Sequence, residues 1–235
     1  MTFNGPINGV TSGGGTGASY IYVVAIRVLL PPVGSNTLLS DPTQGPIPVV
    51  DTGSLNGIFG GLPTHYVVYT GQSPNYYSVY YFPLRTPTAN DSAPLDLTWP
   101  GIYVGDVIAG TGVDPTNGGT AATNGSTLGF AIDTGYLNQY TGTAKIQTIQ
   151  FNIFSMNVPA LTATEVNERV MDAIGDQNSV NDGTFSNPIE VSLLTGGTYT
   201  DQTSGVTERA LDTFPAGSNL PYIDMTGWSL TVTTP

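Results

Sequence analysis

His65 is the only imidazole in the chain, so any histidine-based chemistry has to pass through one side chain. Multi-histidine metal sites are thereby excluded, and a serine nucleophile would have to share the same base. No Gly-x-Ser-x-Gly elbow accompanies it, and its surroundings, His65-Tyr66-Val67-Val68-Tyr69, are those of a strand, which favours a structural or interface role. Paired carboxylates remain, as in glycoside hydrolysis, where two acids flank the scissile bond. The four Glu are Glu165, Glu168, Glu190 and Glu208, and the first two fall at the start of an expected helix, where the helix dipole already accounts for them. Neither an enzyme nor a cofactor site is expected.

For a hard cation the weak candidates are Asp176, Asn178 and Asp182, oxygen ligands in an Asx-rich run that ends at Gly183. The run lacks the third ligand position and the distal Glu of a calcium loop, so a turn accounts for it equally well. Gly13-Gly14-Gly15-Thr16-Gly17 has the look of a phosphate cradle, but no lysine follows it and the next segment is strand-like. Residues 1–18 are read as a flexible arm.

Charge narrows the classes further. Five Lys and Arg face seventeen Asp and Glu, for a formal net charge of -12, while charged residues are only 9 % of the chain. Such a chain cannot neutralise a row of phosphates, so direct contact with nucleic acid or an anionic membrane surface is not expected. Thr, Ser, Asn, Gln and Gly must supply the polar surface, which suits a saline or otherwise harsh exterior where screening is short-ranged. Cys is absent, so stability has to come from a core. Met1 to Gly5 has neither the charged nor the apolar region of a signal peptide, and the longest apolar run, Tyr20 to Pro32, is broken by Arg27 and too short to span a bilayer.

The elements that must position these residues are mostly strands. The 30 Gly and 18 Pro punctuate short runs rich in Val, Ile, Thr, Tyr and Phe. Strands are predicted at Ser19–Leu30, Ile47–Asp51, His65–Thr70, Tyr76–Phe82, Ile102–Ala109, Thr127–Asp133, Ala144–Met156, Pro188–Leu194 and Gly227–Thr234. Tyr20 to Ile26 is apolar on both faces, as in a strand covered on both sides or lying in a subunit contact. Ile149, Phe151 and Ile153 alternate with Thr148, Gln150 and Asn152, and Trp228, Leu230 and Val232 with Ser229, Thr231 and Thr233; each pattern predicts one dry and one wet face. A single helix is predicted over Leu161–Gly175, from a capping box at Thr162 and Glu165 and an apolar stripe of Val166, Val170, Ala173 and Ile174. Gly110 to Gly125 reads as a long surface loop.

Seven aromatic residues crowd the stretch from Tyr66 to Phe82. Tyr76-Tyr77 and Tyr80-Tyr81 place rings on both faces of one strand, so Tyr66, Tyr69, Tyr76, Tyr77, Tyr80 and Tyr81 are read as a subunit interface, with a sandwich core or a lectin site as alternatives.

In length, acidity, β-rich pattern and Gly-rich arm before Tyr20 to Leu30, the chain resembles the larger major capsid protein of tailless icosahedral haloarchaeal viruses with an internal membrane, the sphaerolipovirus type. The resemblance implies an all-β fold, a vertical single jelly roll of two antiparallel four-stranded sheets, with an inserted β tower placed at about residues 32–99 of a body spanning 19–235. It further implies a capsid location and pseudo-hexameric capsomers made with copies of itself and a smaller capsid protein. The genome would stay untouched behind a nearby membrane into which the chain does not insert. An extracellular adhesin or surface-layer sandwich, or a virion spike or decoration protein, is the alternative.

Overall fold

The computed structural model describes residues 1–3, 19–30, 45–46, 62–69, 77–83, 101–107, 127–140, 146–158, 171–174, 188–200 and 224–234. These residues are mostly strand, so the chain is all-β, with one 3₁₀ helix among the described residues. The strands are β1 (Thr2–Phe3), β2 (Ser19–Leu29), β3 (His65–Tyr69), β4 (Tyr77–Tyr81), β5 (Ile102–Val107), β6 (Thr148–Val158), β7 (Met171–Ala173), β8 (Ile189–Ser192), β9 (Gly197–Thr200), β10 (Met225–Gly227) and β11 (Ser229–Val232).

Seven of them make one antiparallel sheet in the order β5-β4-β3-β2-β6-β7, with β8 also on β6. At its centre β2 and β6 pair over their whole length, from Ser19↔Val158 to Leu29↔Thr148, without a shift in register. The outer edge of β6 is shared end to end, β8 taking Thr148 to Phe151 and β7 taking Phe154 to Met156. Two ribbons, β1 with β10 and β9 with β11, complete the pairing. Among the described strands β2 to β5 are neighbours in a single sheet, and a second four-stranded sheet is not among them. The 32–99 stretch expected to hold a tower supplies β3 and β4 to this sheet, and the rest of it, like the strand expected at Ile47–Asp51, lies outside the described residues apart from residues 45–46, 62–64 and 82–83.

Period-two alternation assigns the faces. One carries Tyr22, Val24, Ile26 and Val28 of β2 with Val67, Tyr69, Tyr77, Val79, Ile149, Phe151 and Ile153, and packs against Phe3, Leu128, Leu137, Met225 and Trp228. Phe3 meets Tyr22 edge-on at 4.9 Å and Trp228 meets Phe151 at 5.5 Å. The other face of β2 is closed too, with Val23, Ala25 and Arg27 buried. Burial of this kind is worth about 1.5–3 kcal/mol for each large apolar side chain.

The wet face expected of β6 is dry. Gln150 and Asn152 are buried because Gly45 and Pro46 lie over them, with Asn152 Nδ2 donating to the Pro46 carbonyl at 3.4 Å and Gln150 Nε2 donating to Glu190 on β8 at 3.2 Å. On β11 the expected alternation holds, with Ser229 and Thr231 exposed and Leu230 and Val232 half-buried.

Three local expectations are corrected. Met171–Ala173, the end of the predicted helix, is a strand on β6, held by the buried Asp172, whose carboxylate accepts the Met225 N–H at 2.5 Å. Ladder pairing outweighs the helical spacing there, while residues 161–170 and 175 lie outside the described set. Thr127–Asp133 forms no strand beyond the bridge of Thr127 to Thr2; its inward residues cover the sheet, and the chain then turns into the 3₁₀ helix Thr134–Tyr140. The arm begins as structure, because Phe3 is in the core and Met1 exchanges two hydrogen bonds with Leu128.

Candidate functional site

The tyrosine-rich half of the sheet, β3 to β5, divides its rings between interior and edge. Tyr69 and Tyr77 face each other across β3 and β4 with centroids 5.3 Å apart, and Tyr69 also meets Tyr22 at 6.0 Å. Both are core residues, and the Tyr77 hydroxyl accepts the Gly129 N–H at 3.0 Å. On the opposite face Tyr66 is fully buried, stacked on Tyr80 at 4.9 Å with nearly parallel rings and tilted against Phe82. Burial pushes the phenols of Tyr66 and Tyr77 well above their ordinary value, so both stay protonated. Three of the six rings read as an interface are thus occupied inside the chain itself. Tyr80 and Tyr81 are half-buried, and Tyr76 lies outside the described residues.

His65 belongs to the same half. It is fully buried at the β2 side of β3, opposite Tyr81, with Tyr140 edge-on to its ring at 5.5 Å. Nε2 lies 2.7 Å from Gln139 Oε1 and Nδ1 lies 2.8 Å from Thr64 Oγ1. Since Oε1 can only accept, Nε2 carries the proton, while the Thr64 hydroxyl, shared between Nδ1 and the Ile26 carbonyl at 3.2 Å, accepts from the Val28 N–H at 3.0 Å. Desolvation lowers the imidazole from its ordinary 6.5 to about 4, against a smaller opposing effect of the Gln139 contact. A neutral, fully engaged ring between neutral partners orders the 3₁₀ helix against the sheet. That is the structural role the strand context suggested.

The edge itself is β5. Gly101 enters it at φ 75°, a left-handed conformation, and a Cβ there would sit 2.7 Å from the Tyr81 carbonyl oxygen, so the turn needs glycine. The pairing with β4 slips between Val79 and Tyr80, a bulge that turns Tyr103 towards Tyr80, ring centroids 5.6 Å apart. Asp106 holds the middle of this edge. It accepts from Ser78 Oγ at 2.7 Å, its backbone carbonyl accepts from the Tyr136 hydroxyl at 3.3 Å, and the Tyr103 phenol, raised above its ordinary value chiefly by this contact, hydrogen-bonds its carboxylate. Ile102 and Tyr103 stand out of the protein. Sequence reasoning named neither, although a strand flanked by Gly101 and a Gly-rich loop is a signal for an edge.

The cation candidates Asp176, Asn178 and Asp182 lie outside the described residues, and among the described residues no three His, Cys, Asp or Glu side chains gather as a metal site. No described helix is long and apolar enough to cross a membrane. No family model, curated protein or solved structure matches the chain.

Proposed function

We propose that this chain is a structural subunit of a virion shell, the larger major capsid protein of a tailless icosahedral virus with an internal membrane. It joins copies of itself and a smaller capsid protein laterally into pseudo-hexameric capsomers. The observation that carries this reading is the contrast within the sheet: β2 and β6 are closed on both faces, while the far end leaves Ile102 and Tyr103 exposed beside half-buried Tyr80 and Tyr81. A body stabilised from within and an apolar, aromatic edge left open to a different protein of the shell, with copies meeting through other faces, are what a tile requires. Arg27, the only Lys or Arg among the described residues, is buried, which fits a shell separated from its genome.

A vertical single jelly roll with a tower is the finer architecture that goes with this role. The described strands β2 to β5 are neighbours in one sheet, so the shell role is argued from the surface and not from that topology. A second reading, a spike, decoration or adhesin protein, is favoured by the β9–β11 ribbon, whose outer face is hydroxyl-rich, with Thr198 and Thr231 exposed and hydrogen-bonded to each other at 3.1 Å.

Apolar association strengthens in salts that are excluded from protein surfaces. Purified chain taken through a sulfate series and followed by sedimentation and electron microscopy should therefore shift from monomer to capsomer-sized rings or sheets. A chain that stays monomeric at every salt, alone and with the other proteins of its particle, would defeat the shell reading and leave the spike reading.

A further inference from the structure

Among the described residues the sheet ends at β5, and this end differs from the rest of the surface. Of the three large hydrophobic side chains among the described residues that stand well out of the protein, Ile102 (46 % exposed) and Tyr103 (52 % exposed) are adjacent on this strand. Neighbours on a strand point to opposite faces. Ile102 pairs with Tyr81, on the His65 face, and Tyr103 leans on Tyr80 on the other, so the edge offers an anchor on each side.

Charge decides what kind of partner fits. The Asp106 carboxylate is fixed beside Tyr103 by Ser78, and the exposed Asp133 opens the 3₁₀ helix whose Tyr136 packs over Gly105 of β5. No described surface residue is Lys or Arg, and the whole chain carries -12. A second copy would bring the same sign of charge to the contact. The bulge opposite Val79 and Tyr80 also blunts direct pairing of two such edges, as bulges on edge strands do.

We propose that the β5 edge docks a basic segment of a different protein, in which Arg or Lys alternates with apolar residues. Its cations lie over the Tyr103 and Tyr80 rings and beside Asp106, and its apolar side chains cover Ile102. Tyrosine faces attract cations through the ring quadrupole, and a guanidinium stacks on them best. The shell reading is not needed for this: a shell can form through other faces, and a basic segment can bind here in a protein that never forms one.

The full chain, titrated calorimetrically with a synthetic ten-residue peptide alternating Arg and Val and with its Glu–Val counterpart, tests the idea at physiological salt. The Arg peptide should bind and the Glu peptide should not. Tyr103→Ala should weaken binding about tenfold, and Ile102→Ser should weaken it as well. Asp106→Asn should weaken it more than Glu190→Gln, which removes the same charge on β8, at the opposite edge of the sheet. Unchanged melting curves show that each variant keeps the fold, the amide oxygen introduced by Asp106→Asn still being able to accept from Ser78. Equal losses for Asp106→Asn and Glu190→Gln with none for Tyr103→Ala would reveal diffuse attraction to an acidic chain and overturn the proposal. So would failure of the Arg peptide to bind, or a dimer of the chain that Tyr103→Asp dissolves.

Discussion

The centre and the far edge of the hydrogen-bond ladder are built on opposite plans. In β2 and β6 the pairing runs unbroken from Ser19↔Val158 to Leu29↔Thr148, and the described side chains are buried on both faces, polar ones included. In β4 and β5 the ladder is short, slips once, starts from a left-handed glycine and leaves its outermost strand half in solvent. Apolar β-branched residues on both faces produce the first plan. Tyrosine produces the second, because its ring can be covered while its hydroxyl stays wet. The centre holds the molecule together and the aromatic end is left to meet others.

If that division holds, the largest loss should come from the centre. Phe151 is buried on β6 opposite Ile26 and edge-on to Trp228, so Phe151→Ala removes a ring from the place where the sheet meets its cover. The expected cost is about 3–5 kcal/mol, read from the midpoint of denaturant unfolding. A loss below about 1 kcal/mol, the level of an ordinary surface change, would mean that the centre is not where stability resides.

How far this division could be read in the residues differs between its halves. Tyr20 to Ile26, apolar on every position, fits a strand covered on both sides or one lying in a subunit contact, and Tyr22 to Ile26 are buried within the chain on both faces of β2. For β6 the alternation was legible but its meaning was not, since Gln150 and Asn152 look solvent-facing until Gly45 and Pro46 arrive from over a hundred residues away in sequence. The same holds at Met171–Ala173, where helical spacing lost to a ladder on β6 that no local pattern encodes. Of the tyrosines, composition showed the cluster, but which rings turn inward depends on register: the Tyr69↔Tyr77 pair falls on the core face, and the exposed member of the other row is Tyr103, outside the cluster. The shell role itself was an expectation from resemblance and stays a proposal.

His65 joins the two halves, and its titration measures how tightly. Burial holds the imidazole near 4 instead of 6.5, so between those values the unfolded chain binds more protons than the folded one. Stability due to this group is therefore complete above pH 6.5 and declines as pH falls through that window to about 4. The shift corresponds to roughly 3 kcal/mol. The groups facing the ring are Thr64, Tyr81, Gln139 and Tyr140, none of them a carboxylate or a cation. Unfolding free energies of the wild type and His65→Gln, measured from about pH 7 to pH 4, should converge as the pH falls, because the wild type alone loses this contribution. Parallel curves would place the imidazole in contact with water and detach the 3₁₀ helix from the core.

The smallest effect is expected at the aromatic end, and it should also be the most local. Gly101→Ala places a methyl group 2.7 Å from the Tyr81 carbonyl oxygen in a backbone region that L-residues avoid, a change worth about 2 kcal/mol. The strain falls on the entry to β5, which among the described strands pairs only with β4, so it is relieved by letting β5 open while β2 and β6 remain paired. Hydrogen exchange resolved by segment should then show faster exchange in residues 102–107 and 77–81, with the β2 and β6 amides unchanged. If protection fell equally across all four strands, the sheet would be opening as one unit. The closed centre and the open edge would then be a single cooperative structure and not two plans joined at β3.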